Sequence, residues 1–307
     1  MNTLSIQTKS GPNGDHAIVQ LNRPPVNAIN TEMVDELRDT IRLLQEDKSI
    51  RGVILTGKEH FFSAGFDLIE LYEYDRKQIR DFWTDFFVLM VEMVAFPKPM
   101  VAAISGHSPA GGCVLGFCAD YRVMAQGDYR TGMNEISVGI VVPDSLFKLY
   151  SYWIGNRRAY LFLTEGRLFS PEEAFLYQLI DEIAEPHDVM RVAEKKMNAY
   201  LGFDAEAWQK SKIHLRHDLV ASLRVDFEVA NKDTLEQWWS PKARSILATK
   251  VAYLKERKRM EHKAAPDQGG FAPNQNGHGA QNGHSAQNGQ NGHSATVKVG
   301  KGGHPEA

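Results

Sequence analysis

One acidic side chain stands out by its setting. Glu135 lies in Thr131-Gly132-Met133-Asn134-Glu135-Ile136-Ser137-Val138-Gly139-Ile140, a largely apolar stretch bounded by glycines. A carboxylate in a water-poor pocket has a raised pKa, which suits it both to take and to return a proton. Two upstream segments offer the complementary chemistry. The first is Phe61-Phe62-Ser63-Ala64-Gly65-Phe66-Asp67-Leu68. The second is Gly106-His107-Ser108-Pro109-Ala110-Gly111-Gly112-Cys113, where small residues at 110–112 let another group approach the backbone. A helix beginning there aims unpaired N–H groups and its positive end outward. A developing negative oxygen is the natural guest, although strand–glycine–glycine–helix turns also serve plain packing.

These segments need a scaffold, and short β-type runs alternating with longer helical ones predict an α/β core. Ala17–Leu21 reads as a strand, followed by a turn rich in proline and asparagine. A helix spans Thr31–Glu46, with Asn30 or Thr31 as its cap and Val34, Leu37, Ile41 and Leu44 at helical spacing. Gly52–Thr56, Pro99–Ser105 and Tyr121–Ala125 are apolar runs of the kind buried on both faces of a sheet. Arg76–Ala95 is an amphipathic helix ended by Pro97 and Pro99. Its aromatic face either packs the core or walls an apolar ligand pocket. Ser170-Pro171-Glu172-Glu173 is a capping box that starts another helix, and Glu194–Arg259 reads as helical and charged.

Composition narrows the field. The 307 residues carry 35 Lys+Arg against 38 Asp+Glu, a formal charge of −3, which argues against a nucleic-acid binder held by phosphate neutralisation. No apolar run approaches a bilayer span, and the N-terminus lacks the layout of a signal peptide. The two cysteines, Cys113 and Cys118, read as small core residues without zinc spacing, so a cytoplasmic, reducing location is expected and no metal site. Residues 265–307 hold 10 of the 25 glycines and three Asn-Gly-His repeats, and are expected to form a flexible tail.

Taken in order, six motifs between roughly residues 15 and 185 resemble the crotonase (enoyl-CoA hydratase/isomerase) superfamily. They are Pro24-Pro25-Val26-Asn27, Arg51–Thr56, Phe62–Leu68, Pro109–Cys113, Cys118–Arg122 and Asn134-Glu135. The resemblance implies a spiral of repeated ββα units over residues 1–193, a C-terminal helical region over 194–264, and the tail at 265–307. It implies an acyl-CoA thioester substrate whose oxygen is bound by the backbone N–H groups of Phe66 and Gly111. Ala64, Gly65, Phe66, Asp67 and Leu68 would line the CoA channel, Asn134 would face the substrate, and Glu135 would be the catalytic base and acid. CoA belongs to the substrate, so no separate cofactor is expected. A homo-oligomer, a trimer or dimer of trimers, and a place in fatty-acid β-oxidation are implied as well.

Within that family, hydratases resemble a two-glutamate design whose first carboxylate follows Gly-Cys in the second motif. Here that place is Val114, which cannot activate water. One carboxylate suffices for a 1,3 proton shift, and the remaining motif details look most like mitochondrial-type delta3,delta2-enoyl-CoA isomerases. Other crotonase chemistry, such as hydration, thioester hydrolysis or dehalogenation, and a noncatalytic acyl-CoA-binding protein are the competing readings. Asp67 and Asp120 are expected to brace turns, and Asp144 has no spacing argument for a catalytic role. Gln178 stands where the family usually has glycine, at a local cost of up to roughly 1 kcal/mol if the backbone is left-handed.

Overall fold

The chain opens with an antiparallel hairpin, β1 (Leu4–Gly11) and β2 (Gly14–Leu21), and a first helix, α1 (Thr31–Glu46). Asn30 caps α1 by accepting the Met33 N–H, and the Val34, Leu37, Ile41 and Leu44 stripe is buried. A repeated path follows. β3 (Ile50–Thr56) leads to the short β4 (His60–Phe61), then α2 (Leu68–Leu71) and α3 (Arg76–Ala95). β5 (Met100–Ile104) leads to β6 (Gly106–Pro109) and α4 (Gly111–Cys118). β7 (Tyr121–Ala125) leads to β8 (Thr131–Gly132) and a 3-10 turn, Glu135–Val138.

The first strand of each turn joins one sheet and the second strand another. The large sheet has the order β1-β2-β3-β5-β7-β9 and is parallel from β2 onward, with β9 at Glu182–Ala184. The small sheet has the order β4-β6-β8. This is the expected α/β spiral of ββα units. β5 is buried along its whole length and β3 nearly so, as continuous apolar runs demand. β9 begins three residues later than the apolar run at 179 suggests, because Leu179 and Ile180 sit in the turn after α7 and Gln178 is left-handed at φ 66°.

The remaining helices are α5 (Asp144–Ile154), α6 (Asn156–Glu165), α7 (Pro171–Leu176), α8 (Val189–Leu201), α9 (Ala205–Leu215), α10 (His217–Leu223), α11 (Phe227–Ala230), α12 (Lys232–Trp238) and α13 (Pro241–Ala264). Ser170 and Glu173 form the capping box that starts α7. The stretch read as one charged helical region is thus a series of helices, the last of which, α13, runs for 24 residues. The first of them, α8, starts at Val189 and packs on β3, β5 and β7. Buried ion pairs fasten this region to the spiral. Asp120 meets Lys212 at 2.7 Å and Arg216 at 2.9 Å, and also accepts the Met100 N–H.

The computed structural model describes residues 1–264, which form one compact unit. The stretch 265–307, expected to be a tail, lies outside the described residues. Among the described residues no helix is long and apolar enough to cross a membrane, and no three His, Cys, Asp or Glu side chains are grouped to hold a metal ion.

Candidate active site

The spiral places the three chemically suggestive segments at equivalent points of successive turns. Residues 62–68 follow β4, Ala110 and Gly111 follow β6, and Met133–Glu135 follow β8. The small sheet aligns them, through His60↔Gly106 and Phe61↔His107 on one side and Ser108↔Thr131 and Pro109↔Gly132 on the other. Beyond the strands the pairing continues. Phe62 and Ser63 both donate to the His107 carbonyl, and Ala110 donates to the Gly132 carbonyl at 2.7 Å.

The Phe66 N–H is kept free by its neighbours. Ile29 donates to the Gly65 carbonyl and accepts from the Asp67 N–H, both at 2.8 Å, so the strand-like pairing skips Phe66. The Gly111 N–H opens α4 and has no carbonyl four residues back within the helix. Among the described residues neither amide has a hydrogen-bond acceptor. The two are close: a β-carbon on Gly65 would stand 3.4 Å from the Gly111 nitrogen. Ala110 precedes them at φ 48°, ψ −122°, a conformation that costs a non-glycine residue on the order of 1–3 kcal/mol. That peptide geometry sets the direction of the Gly111 N–H.

The side chain of Phe66 has a positional role. Its ring meets Phe82, Trp83 and Phe86 of α3 edge-on, with centroids 4.7–5.1 Å apart. Such pairs are worth roughly 0.5–1.5 kcal/mol each beyond burial. The aromatic face of α3 is therefore largely core, and it anchors the loop that carries the free amide. The same packing closes around Gly111, where a β-carbon would stand 3.0 Å from the Phe66 ring and 3.1 Å from Ile29, so those side chains would have to give by a few tenths of an ångström.

The Pro-Pro-Val-Asn turn is the other anchor, a role that the sequence motif did not disclose. The Asn27 side-chain amide donates to the Phe61 and Phe62 carbonyls, and Ser63 Oγ donates to the Asn27 carbonyl at 2.7 Å. Ala64 N–H donates to the Val26 carbonyl. Asp67 caps α2 through the Ile69 and Glu70 amides and pairs with Arg23 at 2.7 Å, so its carboxylate braces the loop as expected. Leu68 begins α2 and is half-buried, as is Ala64.

Glu135 is 6% exposed and starts the 3-10 turn after β8. Burial pushes its carboxyl up to about 7, and its Oε2 has no hydrogen-bond partner. A buried carboxylate lacking a salt bridge is costly to leave ionised, which keeps it ready to bind a proton near neutral pH. Asn134 precedes it, half-buried, with no hydrogen bond on its side-chain amide among the described residues. Val114, 1% exposed, stands one helical turn into α4. Cys113 beside it is buried with its thiol pushed up to about 12, so it is inert as a nucleophile. Asp144 is outside this assembly, exposed and paired with Lys148 at 2.6 Å.

Equivalent points of the spiral thus carry one neutral-prone carboxylate and two unpaired amides. Such a set can move a proton while stabilising negative charge on a carbonyl oxygen. A groove among Gln7, Gln20, Glu59, Ser105 and His187 is separate from it and offers no comparable pairing.

The chain is similar to known proteins in both sequence and fold. Residues 13–260 match the family model described as enoyl-CoA hydratase/isomerase. Over 208 residues the chain is 38% identical to enoyl-CoA delta isomerase 1, mitochondrial, of Mus musculus, covering 67% of this chain and 72% of that protein. Over 187 residues it is 28% identical to the short-chain-enoyl-CoA hydratase of Clostridium acetobutylicum, covering 60% and 71% respectively. In three dimensions it is similar to human mitochondrial delta3-delta2-enoyl-CoA isomerase, whose crystal structure superposes with a TM-score of 0.79. That match covers 83% of this chain and 99% of that one at 29% identity.

Proposed function

The chain belongs to the enoyl-CoA hydratase/isomerase family, and from that premise we propose that it is a delta3,delta2-enoyl-CoA isomerase working through one carboxylate. The substrate is a 3-enoyl-CoA, with its thioester oxygen held by the Phe66 and Gly111 N–H groups. Glu135 as carboxylate takes a proton from C2. The C2–H electron pair becomes the C1–C2 double bond of a dienolate, and negative charge settles on the thioester oxygen between the two amides. Glu135, now protonated, delivers the proton to C4. The electrons return, leaving the double bond at C2–C3 in conjugation with the thioester.

Magnitudes support such a division of labour. A positioned proton-transfer group contributes roughly 10²–10⁴-fold, and one oxyanion donor about 10²–10³-fold. A carboxyl that titrates at about 7 serves both half-reactions, since neither protonation state is strongly favoured at neutral pH.

The observation that carries the reading is Val114. In the proposed site Glu135 is the one acid, while the place where the hydratase pattern has a second acid is taken by a buried isopropyl group. Hydration needs a group to hold and activate water there, and valine does neither. The deciding experiment offers purified protein a panel of 3-enoyl- and 2-enoyl-CoA esters and scores isomerisation, hydration and hydrolysis together. Gain of conjugated-thioester absorbance from the 3-enoyl esters alone is expected, and hydration as the dominant outcome would overturn the assignment.

A homotrimeric assembly, a cytoplasmic location and a role in fatty-acid β-oxidation complete the proposal. Light scattering and cell fractionation test the first two. Residues 64–68, Gly111 and Asn134 are the proposed substrate contacts.

A further inference from the structure

The free Phe66 N–H is the end of a series of hydrogen bonds. It belongs to the Gly65–Phe66 peptide, whose carbonyl accepts the Ile29 N–H at 2.8 Å. The Ile29 N–H in turn belongs to the Ala28–Ile29 peptide, whose carbonyl accepts from Arg23 Nη1 at 2.9 Å. Both peptides are trans, so in each the N–H points away from its own carbonyl. A guanidinium thus donates to one peptide, that peptide donates to a second, and the second ends on the free amide.

Bonds arranged in this way polarise one another in one direction. A donor at a carbonyl draws electron density from the N–H of the same peptide, which then donates more strongly, by about 10–30% per bond. The head of the series is a permanent cation, whose bonds are stronger than those of a neutral donor. Its middle link is closed to water, because Ile29 is fully buried. The other amide has its own support. Gly111 N–H shares a peptide with the Ala110 carbonyl, which accepts the Val114 N–H at 3.1 Å and so joins the eight-residue α4. No such helix stands behind Phe66, since α2 has four residues and begins after it. The series from Arg23 fills that place.

Arg23 is itself held firmly. Its guanidinium also donates to Asp67 Oδ2 at 2.7 Å and Glu70 Oε2 at 3.0 Å. Its backbone N–H donates to Asn27 Oδ1 at 2.9 Å, and its carbonyl accepts the Asn27 N–H at 2.8 Å. The two carboxylates balance its field at a distance, so its influence on Phe66 passes along the bonded peptides.

We propose that Arg23 is a positioning residue for the oxyanion amide, its bond to the Ala28 carbonyl orienting the Phe66 N–H and strengthening it as a donor; this rests on the reading that Phe66 and Gly111 bind the thioester oxygen. A stronger donor matters most where that oxygen is negative, so the gain falls on the dienolate more than on the bound substrate.

The test removes the head of the series with Arg23→Met and observes the thioester carbonyl directly. The probe is hexanoyl-CoA labelled with 13C at the thioester carbon, which has no double bond to move, and the readout is its infrared carbonyl band. In the wild type the band should drop in frequency on binding, and in Arg23→Met part of that drop should be lost. Losing one oxyanion donor costs about 10²–10³-fold, so weakening it by roughly a third should lower kcat on 3-enoyl-CoA roughly 5- to 10-fold with KM little changed. Arg23→Lys keeps a cation beside Asp67 without the planar fork, and should move the band in the same direction if the methionine variant does not fold. Glu70→Gln leaves the Ala28 bond in place and should keep the wild-type band. A wild-type band in every folded Arg23 variant would overturn the proposal. Equal loss in Glu70→Gln would assign the effect to loop bracing and overturn it too. A band that does not move on binding to the wild type would sink the oxyanion reading and this inference with it. A wild type that shifts the band, loses part of the shift in Arg23→Met and isomerises nothing would sink the isomerase reading and leave the role of Arg23 standing.

Discussion

Gly112 lies so close against Ser63 that a β-carbon on it would stand 2.8 Å from the Ser63 carbonyl oxygen. That contact joins the second turn of the spiral to the first. Ser63 is tied to Asn27 on one side and accepts the Gly65 N–H on the other, so the spacing between Gly112 and Ser63 sets the spacing between the Gly111 and Phe66 amides.

Gly112→Ala therefore tests the oxyanion geometry without touching either amide. The added methyl must displace backbone rather than a flexible side-chain tip, and overpacking of this kind costs about 1–3 kcal/mol. Isomerase kcat should drop by roughly 10²-fold or more while the far-ultraviolet circular dichroism stays native, since a misplaced donor is nearly a lost one. Near-wild-type turnover would show that the two amides are not rigidly linked.

Glu135→Gln should abolish isomerisation, with a loss of at least roughly 10²-fold. A second consequence concerns stability. The folded-state pKa of about 7 lies above the ordinary 4.5. The folded protein therefore binds this proton more tightly than the unfolded chain, and the carboxyl's contribution is fully present below pH 4.5 and lost as pH rises through about 7. Above that the ionised side chain opposes folding by a few kcal/mol. Glutamine cannot ionise, so the variant should melt higher than wild type at pH 8 and match it near pH 4. Equal melting at both pH values would contradict the burial argument.

Wild-type kcat/KM should decline on acidification through about pH 7, because proton abstraction from C2 needs the Glu135 carboxylate. The measurement is a pH–rate profile with 3-enoyl-CoA at subsaturating concentration. An acid limb centred near 4.5 would mean that the site is wet and the carboxyl ordinary.

Val114→Glu restores an acid at the second position on α4. It should introduce or raise hydration of 2-enoyl-CoA relative to wild type, at some cost in stability because position 114 is fully enclosed. A folded variant that still only isomerises would mean that water cannot be seated there.

Asp120→Ala leaves Lys212 and Arg216 buried without their carboxylate. Breaking a buried pair from one side costs about 3–5 kcal/mol, and here two cations lose one partner. Urea denaturation should show a shift of that order, with Asp120→Asn intermediate. A change below about 1 kcal/mol would mean that water reaches the cluster.

Some of this was legible in residues alone because it depends on local chemistry. Continuous apolar runs and the 3.6-residue helical period are local signals, and they match β3, β5, β7, α1 and α3. The Asn30 and Ser170 caps needed only neighbouring amides. The left-handed turn at Gln178 and the bracing role of Asp67 were also anticipated, since each is a turn problem, whereas Asp120 pairs with Lys212 and Arg216 of distant helices. Other features were not legible. β4 and β8 are two residues long, too short for any periodic signal, and the helices from α8 to α13 break at points that charge pattern does not mark.

The sequence by itself determined which groups are available for chemistry: one carboxylate in an apolar run, two glycine-bearing loops, and a valine where a second acid would stand. Tertiary structure decided that the segments carrying these groups lie at equivalent points of the spiral. The small sheet lays the ends of β4, β6 and β8 side by side, although residues 66, 111 and 135 are far apart along the chain. It also decided the protonation behaviour of Glu135, because desolvation depends on what packs around a carboxylate from every direction, and chain neighbours supply only a part of that shell.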